Sequence, residues 1–411
     1  METFAELSIF SVASHSRLAS FFALLSNTAF HLGRKQTGTE GFKWRSSGLQ
    51  YSQMAKLHLQ NALRSEMQPA SSKNYKQLLM SLIAMATAAM YHEPKSMAAF
   101  LIDAERLIRL RGIPNPKKSF KTRLLHHVYT HLRIIVESLS APNDEGDDEV
   151  SSPPLTNHGV LQIGELRKFR VSAESLNAGL DHSMLKLSDL GYNDIHLEVQ
   201  GNWAQTLFPQ IYGIPESLLT LLSQTICLAN DKKRLDKIAA RDPILSIAIA
   251  KHIKTLENNI WKWSPRAEEG LRQLNTIGCE PQDGFEKDPL VKTLVSAMHD
   301  AVLIYFYRRV SNVHAMLMQD LVRKVLERLS PCMIDAQDPD FATTVAWPYL
   351  IASSEAATPE LQQLALRCLQ SIDAQGLPFV LENATNVAQQ VWQRRQQAQD
   401  FTISWMDVIA T

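Results

Sequence analysis

Three histidines are the residues best spaced to do chemistry. His126, His127 and His131 form H-H-x-x-x-H, and on a helix the i, i+4 pair His127 and His131 has the spacing of two zinc ligands. A zinc hydrolase needs more, namely a third ligand and a glutamate in the H-E-x-x-H position to act on bound water. Neither is present, so packed or solvated imidazoles are expected and no metal is assigned. The carboxylate pairs Glu268-Glu269 and Asp338/Asp340 lie among polar residues, which suits solvated or capping side chains rather than an acid/base couple. No G-x-G-x-x-G, G-x-x-x-x-G-K-[ST] or G-x-S-x-G occurs, so neither a phosphate cradle nor a nucleophile elbow has local support. No enzyme and no cofactor are expected.

The four cysteines, Cys227, Cys279, Cys332 and Cys368, are scattered and no two form C-x-x-C. A structural zinc site needs clustered ligands and a disulfide framework needs denser cysteine, so buried thiols in a reducing compartment are expected. Two basic clusters remain. NPKKSFKTR carries Lys117, Lys118, Lys121 and Arg123, and DKKRLDK carries Lys232, Lys233 and Arg234. Each is a candidate nuclear import signal or phosphate contact, set against the plainer reading of a solvated loop or helix face. The whole chain has 42 Lys+Arg against 42 Asp+Glu and so no global attraction for nucleic acid or anionic membrane.

The elements that must position these residues read as helices. A length of 411 residues allows two or three domain-sized units, and 45% hydrophobic with 20% charged residues is ordinary for a globular chain. In YGIPESLLTLLSQTICLAN, residues 212–230, Gly213 and Pro215 make a turn that places Pro215 at the first helical position, and Glu216 complements the positive end of the helix dipole. Leu218, Leu221, Leu222, Thr225 and Ala229 follow as one apolar stripe. Leu78, Leu82, Met85 and Ala89 form another, and Met97, Phe100, Leu101, Ala104, Leu107 and Ile108 a third, closed by Gly112 as a helix C′ residue.

Residues 4–32 read as helix rather than signal peptide, for want of a basic n-region. A looser stretch over 33–48 precedes a helix over 48–66 that turns Met54, Leu57 and Leu63 to the core. Further helices are expected over 119–140, 312–329 (stopped by Pro331), 340–356, 359–374 and 379–398, with a stripe from Val291 to Tyr305 after Pro289. No uninterrupted apolar run approaches the roughly 20 residues of a membrane helix, and the chain reads as soluble and intracellular. Residues 141–158, with five acidic residues between Asn143 and Glu149 and a Pro pair, read as a disordered loop. That loop divides residues 1–140 and 159–411 into two helical parts of one domain. The expected fold is all-α, an irregular multi-helix array of antiparallel helix hairpins without a sequence period.

Several stretches together resemble the fungal-specific transcription factor domain, in the branch of the arginine-metabolism regulator. YGIPESLLTLLSQTICLAN is similar to that family's signature. AAFLIDAERLIRLRG, with Arg111 and Gly112, resembles its H-L-x-G-A-x-x-L-I-x-x-R-G helix, and DAVLIYFYRRV its A-x-x-I-Y-F-Y-R-R helix. VAWPYLIASSEAATPELQQ, with Trp347, Pro348 and Glu355, resembles its W-P-x-x-I-A-x-x-E-A segment, and VWQRRQQAQDFTISWMDVI, with Trp392 and Trp405, its V-W-x-R-R…W close. The resemblance implies a nuclear, non-enzymatic regulator of a metabolic or secondary-metabolite gene set, contacting itself, a related regulator or the transcription machinery, with a small-molecule effector as a further candidate. It implies that Gly213, Pro215, Glu216, Arg111, Gly112, Trp347, Pro348, Glu355, Trp392 and Trp405 are structural first, the tryptophans and Pro348 building the core.

Such domains normally follow a six-cysteine binuclear zinc cluster that binds DNA, and no such cluster lies in these 411 residues. DNA binding is therefore expected only indirectly or through a cluster outside the sequence. Three arrangements stay open: part of a longer polypeptide, a natural relative without the cluster, or a helical module that titrates a full-length relative. The rival reading is a helical ligand sensor or scaffold with no promoter role.

Overall fold

A computed structural model of the chain describes residues 14–36, 38–66, 74–115, 119–140, 169–171, 185–201, 203–264, 288–335, 339–374 and 384–409. Most of these residues are helical and none of them forms a strand, an all-α fold. The expected acidic loop 141–158, Lys117, Lys118, Cys279, the Glu268-Glu269 pair and the start of the first helix lie outside the described residues. The chain divides into two compact units: residues 1–136, 143–166 and 373–382, and residues 137–142, 167–372 and 383–411.

In the first unit, α1 (His15–Lys35) and α2 (Gly38–Glu66) form a hairpin, and α3 (Tyr75–His92) packs on α1. Small side chains make that approach close: Ser20 Oγ meets Ser81 Oγ at 2.7 Å, and Asn27 donates to the Ala84 carbonyl at 3.2 Å. The expected loop over 33–48 is instead the last residues of α1 and the start of α2, joined at residues 36–37. Its glycines serve contact rather than flexibility, since a Cβ on Gly48 would lie 2.9 Å from the Phe30 ring and one on Gly33 2.8 Å from the Arg45 side chain. Starting earlier, α2 buries Ala55, Leu59, Ala62 and Leu63, while Met54 and Leu57, expected in the core, face water. Helix α4 (Pro94–Leu107) lays its whole predicted face against α3, then widens into a π-helical turn, Ile108–Gly112. Helix α5 (Phe120–Ser138) follows.

The second unit begins with the short helices α6 (Ser188–Asn193) and α7 (Phe208–Tyr212). Gly213, at φ +66°, ends α7 in the left-handed conformation that glycine adopts without strain. Pro215 is the N-cap rather than the first helical residue of α8 (Glu216–Ala239), which runs on through DKKRLDK as one helix. From Glu216 to Ser223 it is buried on every side, not along one stripe. Helix α9 (Pro243–Lys262) pairs with it.

Helix α10 (Pro289–Arg309) is the centre of this unit, packed against α11 (Gln319–Asp335) and α12 (Pro339–Glu355). By length and composition α10 is apolar enough to cross a membrane, but Lys292, His299 and Asp300 interrupt its apolar run and it is mostly buried in the unit. A 3-10 turn, Ala315–Met318, leads into α11, which continues through Pro331 instead of ending before it. Contacts with α10 and α12 outweigh the one backbone hydrogen bond that proline removes. Pro348 likewise sits inside α12. Helices α13 (Pro359–Ala374), α14 (Ala384–Ala398) and α15 (Trp405–Ile409) complete the chain.

Candidate functional site

The recognised sequence segments fold into buried polar knots, each with a charged residue standing on an apolar helical stripe. The largest is in the second unit. Arg308 continues the stripe of Met298, Val302 and Tyr305 on α10, Glu355 follows Ile351 by one turn on α12, and Arg395 follows Ala384, Ala388 and Val391 on α14. Helix periodicity therefore drives all three side chains inward. Glu355 Oε2 lies 2.9 Å from Arg308 Nε and 2.5 Å from Arg395 Nη2, with the three side chains at most 2% exposed.

The remaining guanidinium donors go to main-chain oxygens. Arg308 holds the carbonyls of Val313, Thr402 (2.8 Å) and Ile403 (2.8 Å), and Arg395 holds those of Ile403 (2.8 Å) and Ser354 (3.2 Å). Burial lowers the Arg395 pKa and the Glu355 charge opposes that shift. The arrangement is buried, with Glu355 Oε1 left outside its hydrogen bonds. What it does is fasten residues 402–403, and so the last helix, to α10 and α14.

The tryptophans sit around this knot. Trp405 is fully buried, its ring 5.8 Å from that of Tyr305, and Trp347 lies 5.9 Å from the same tyrosine. Trp347 Nε1 donates to Ser138 Oγ at 2.8 Å and Tyr305 OH to the Ser138 carbonyl at 3.0 Å. Asn230 bridges Glu137 (3.3 Å) and Arg309 (3.2 Å). Pro348 is buried, whereas Trp392 is half-buried and donates to the Ser353 carbonyl at 3.1 Å.

The helix that opens at Glu216 has its own knot. Lys186 Nζ, fully buried, lies 2.8 Å from Glu216 Oε1 and 3.0 Å from Asp194 Oδ2. Asp194 also accepts the backbone N–H groups of Glu198 (2.7 Å) and Val199 (3.1 Å). Burial raises the Glu216 pKa, against the pull of Lys186 and a hydrogen bond from Thr206. Burial disfavours the Lys186 charge, but Asp194 and Glu216 outweigh it and hold its pKa above the ordinary lysine value.

In the first unit Glu105, fully buried, takes Arg109 Nε at 2.8 Å and the Tyr129 hydroxyl at 2.9 Å, with Arg133 Nε at 4.0 Å. Gly112 is not a left-handed C′ residue. It is glycine because a Cβ there would lie 2.2 Å from Tyr75 OH and 2.8 Å from His126 Nε2, which hydrogen-bond each other at 2.6 Å. Arg111 is half-buried in the same π-helical turn.

The candidate metal histidines lie on α5. Burial depresses the pKa of His126 to about 3 and those of His127 and His131 to about 4, so all are neutral at physiological pH. His127 Nδ1 is 2.7 Å from the Arg123 carbonyl. Among the described residues no group of His, Cys, Asp or Glu is arranged to hold a metal. Cys227 and Cys368 are buried cysteines. The basic run on α8 carries its own counter-charges: Lys232 pairs with Asp236 at 2.5 Å, and Arg234 Nε with Asp231 at 2.6 Å, while Lys233 is exposed. Lys121 is exposed and Arg123 half-buried.

Sequence reading singled out Glu216, Glu355 and Gly112 but not Lys186, Asp194, Glu105, Arg308 or Arg395. For Glu105, Arg308 and Arg395 the available signal was a charge at a stripe position inside an apolar helix face. Lys186 and Asp194 stand on irregular backbone around the short helix α6 and carry no periodic signal.

Compared with known families, the chain matches the model of the fungal-specific transcription factor domain over residues 7–410. Searches of curated proteins and of solved structures find no match.

Proposed function

We propose, from the premise that this chain belongs to the fungal-specific transcription factor domain family, that it controls a metabolic or secondary-metabolite gene set through protein–protein contacts. Transcription regulation is the role of this family, which is one of regulators rather than enzymes, and the nucleus is the location the family implies. The observation that carries the finer reading is where the chemically capable residues sit. Glu105, Glu216, Glu355 and their partners are buried and paired inside helix packing, which suits a rigid scaffold whose work is done by its outer surface.

Partners on this reading are a second copy or a related regulator and the transcription machinery, with DNA reached indirectly and a small-molecule effector as a further candidate. The two parts set by residues 1–140 and 159–411 act as one regulatory domain. Lys232, Lys233 and Arg234, with the Lys117–Arg123 cluster, are proposed to guide nuclear import. Deletion with transcript profiling, alongside imaging of a fluorescent fusion, tests this. A coherent metabolic gene set should change and the fusion should be nuclear. Unchanged transcripts with nuclear exclusion would replace this reading by the ligand sensor or scaffold.

A further inference from the structure

We propose that the outer face of α9, together with the basic end of α8, docks an acidic amphipathic segment of a partner protein. Helix α9 buries a single seam, Ile249, His252, Leu256 and Ile260, in its packing with α8 and α10. Outside that seam its first turns present Ile244, Leu245 and Ile247, which are 79%, 40% and 71% exposed. Single apolar side chains in water are ordinary, but three branched aliphatics within four positions form a patch of the kind that marks an interaction site. They do not belong to a frayed end. Asp242 Oδ1 accepts the N–H groups of Ile244 (2.8 Å) and Leu245 (3.2 Å), and Pro243 sets the first turn. The patch is thus held in helical register before any partner arrives, which lowers the ordering cost of binding.

The charge around the patch says what covers it. Lys237 and Arg241 at the α8–α9 corner are exposed, and so is Lys251, one turn beyond Ile247. The neighbouring acids are engaged: Asp231 with Arg234, Asp236 with Lys232, Asp242 as the cap, and Glu257 with Lys254 and Tyr307. Ile244, Ile247 and Lys251 recur at i, i+3 and i+7, so aliphatic and basic groups share one helix face. The complement of such a face is a segment whose apolar side chains and carboxylates recur at the same spacing. A nucleic acid would satisfy the charges and leave the aliphatics wet. The later residues of the DKKRLDK run thereby gain a role distinct from import.

This surface rests on the reading of the domain as a regulator that works through protein contacts, and it is tested on purified full-length protein. The probe is a fluorescein-labelled synthetic helix with Leu and Phe along one face and Glu on the others, followed by anisotropy. Saturable binding is expected, weakened about tenfold or more by Ile244→Asp with Ile247→Asp and about threefold by Lys251→Glu, which also flattens the salt dependence. These side chains are exposed, so the variants should melt like the parent by circular dichroism. Three results would each overturn the proposal: no saturable binding, undiminished binding by the double aspartate variant, or displacement of the peptide by phosphatidylserine vesicles or duplex DNA. If peptide binding fails while deletion still changes transcripts, only this surface falls. If binding persists while transcripts are unmoved, the regulatory reading falls instead.

Discussion

The Glu355 knot of the second unit and the histidine face of α5 in the first bury polar groups in opposite ways. Arg308, Glu355 and Arg395 are buried in ion pairs with one another and in hydrogen bonds to main-chain carbonyls. His126, His127 and His131 shed the charge instead, because burial makes the imidazolium too costly to hold. A guanidinium cannot take the second route, since its pKa lies too high to neutralise near neutral pH. The lesson is that the Arg–Glu knot depends on completeness and the histidine face on pH.

The largest effect should come from breaking the first. Glu355→Ala leaves two buried guanidinium groups without their carboxylate, and a loss of about 3–5 kcal/mol is expected, read from the urea midpoint. Replacing all three members with apolar residues should not restore the parent stability, because the carbonyls of Thr402, Ile403 and Ser354 would lose their donors. Full recovery in the triple variant would show that these backbone bonds contribute nothing.

Acid should act on the second. The unfolded histidines protonate near pH 6.5 while the folded ones resist until about pH 3–4, so the unfolded state binds more protons in between. Stability is therefore present above pH 6.5 and lost as pH falls from there toward 4, by up to about 1.4 kcal/mol per pH unit for each histidine. Amide exchange should rise in α5 before it rises in α14. If both regions loosen together on acidification, the contrast drawn between them is wrong.

A smaller effect tests how tightly the histidine face is packed. Gly112→Ala forces a Cβ to within 2.2 Å of the Tyr75 hydroxyl, and that ring is buried and tied to His126. A loss of about 1–3 kcal/mol is expected by thermal melt, with part of it recovered when Tyr75→Phe removes the hydroxyl.

The Glu216 knot stands between the two extremes, and its variant should show the smallest change. Glu216 has a raised pKa, so the stability its proton supplies is full below about 4.5 and fades as pH rises through the folded value. Glu216→Gln, a neutral near-isostere that leaves Lys186 paired with Asp194, should change stability less than the other variants and flatten this part of the pH profile. An unaltered profile would mean that folding does not shift the Glu216 titration.

Much of the helix content was legible. The stripes 78–82–85–89 and 97–108 are buried as their spacing requires, because a helix with one apolar face has one way to lie on a core. The misreadings came where composition points one way and packing the other. Gly33, Gly41 and Gly48 suggested a loop, yet they admit neighbouring atoms that a Cβ would exclude. Pro331 suggested a stop, yet α11 has enough tertiary contact to carry one missing hydrogen bond.

The sequence by itself determined the all-α class and the family, since both follow from period and residue type along the chain; the inward Glu105, Arg308 and Arg395 stand on that same period but were not singled out from it. Only the tertiary structure decided which charges meet. Lys186 reaches Glu216 across 30 positions and Trp347 reaches Ser138 across 209. Such pairings depend on how helices are laid side by side, and a burial pattern read one helix at a time fixes the face of each but not its neighbour.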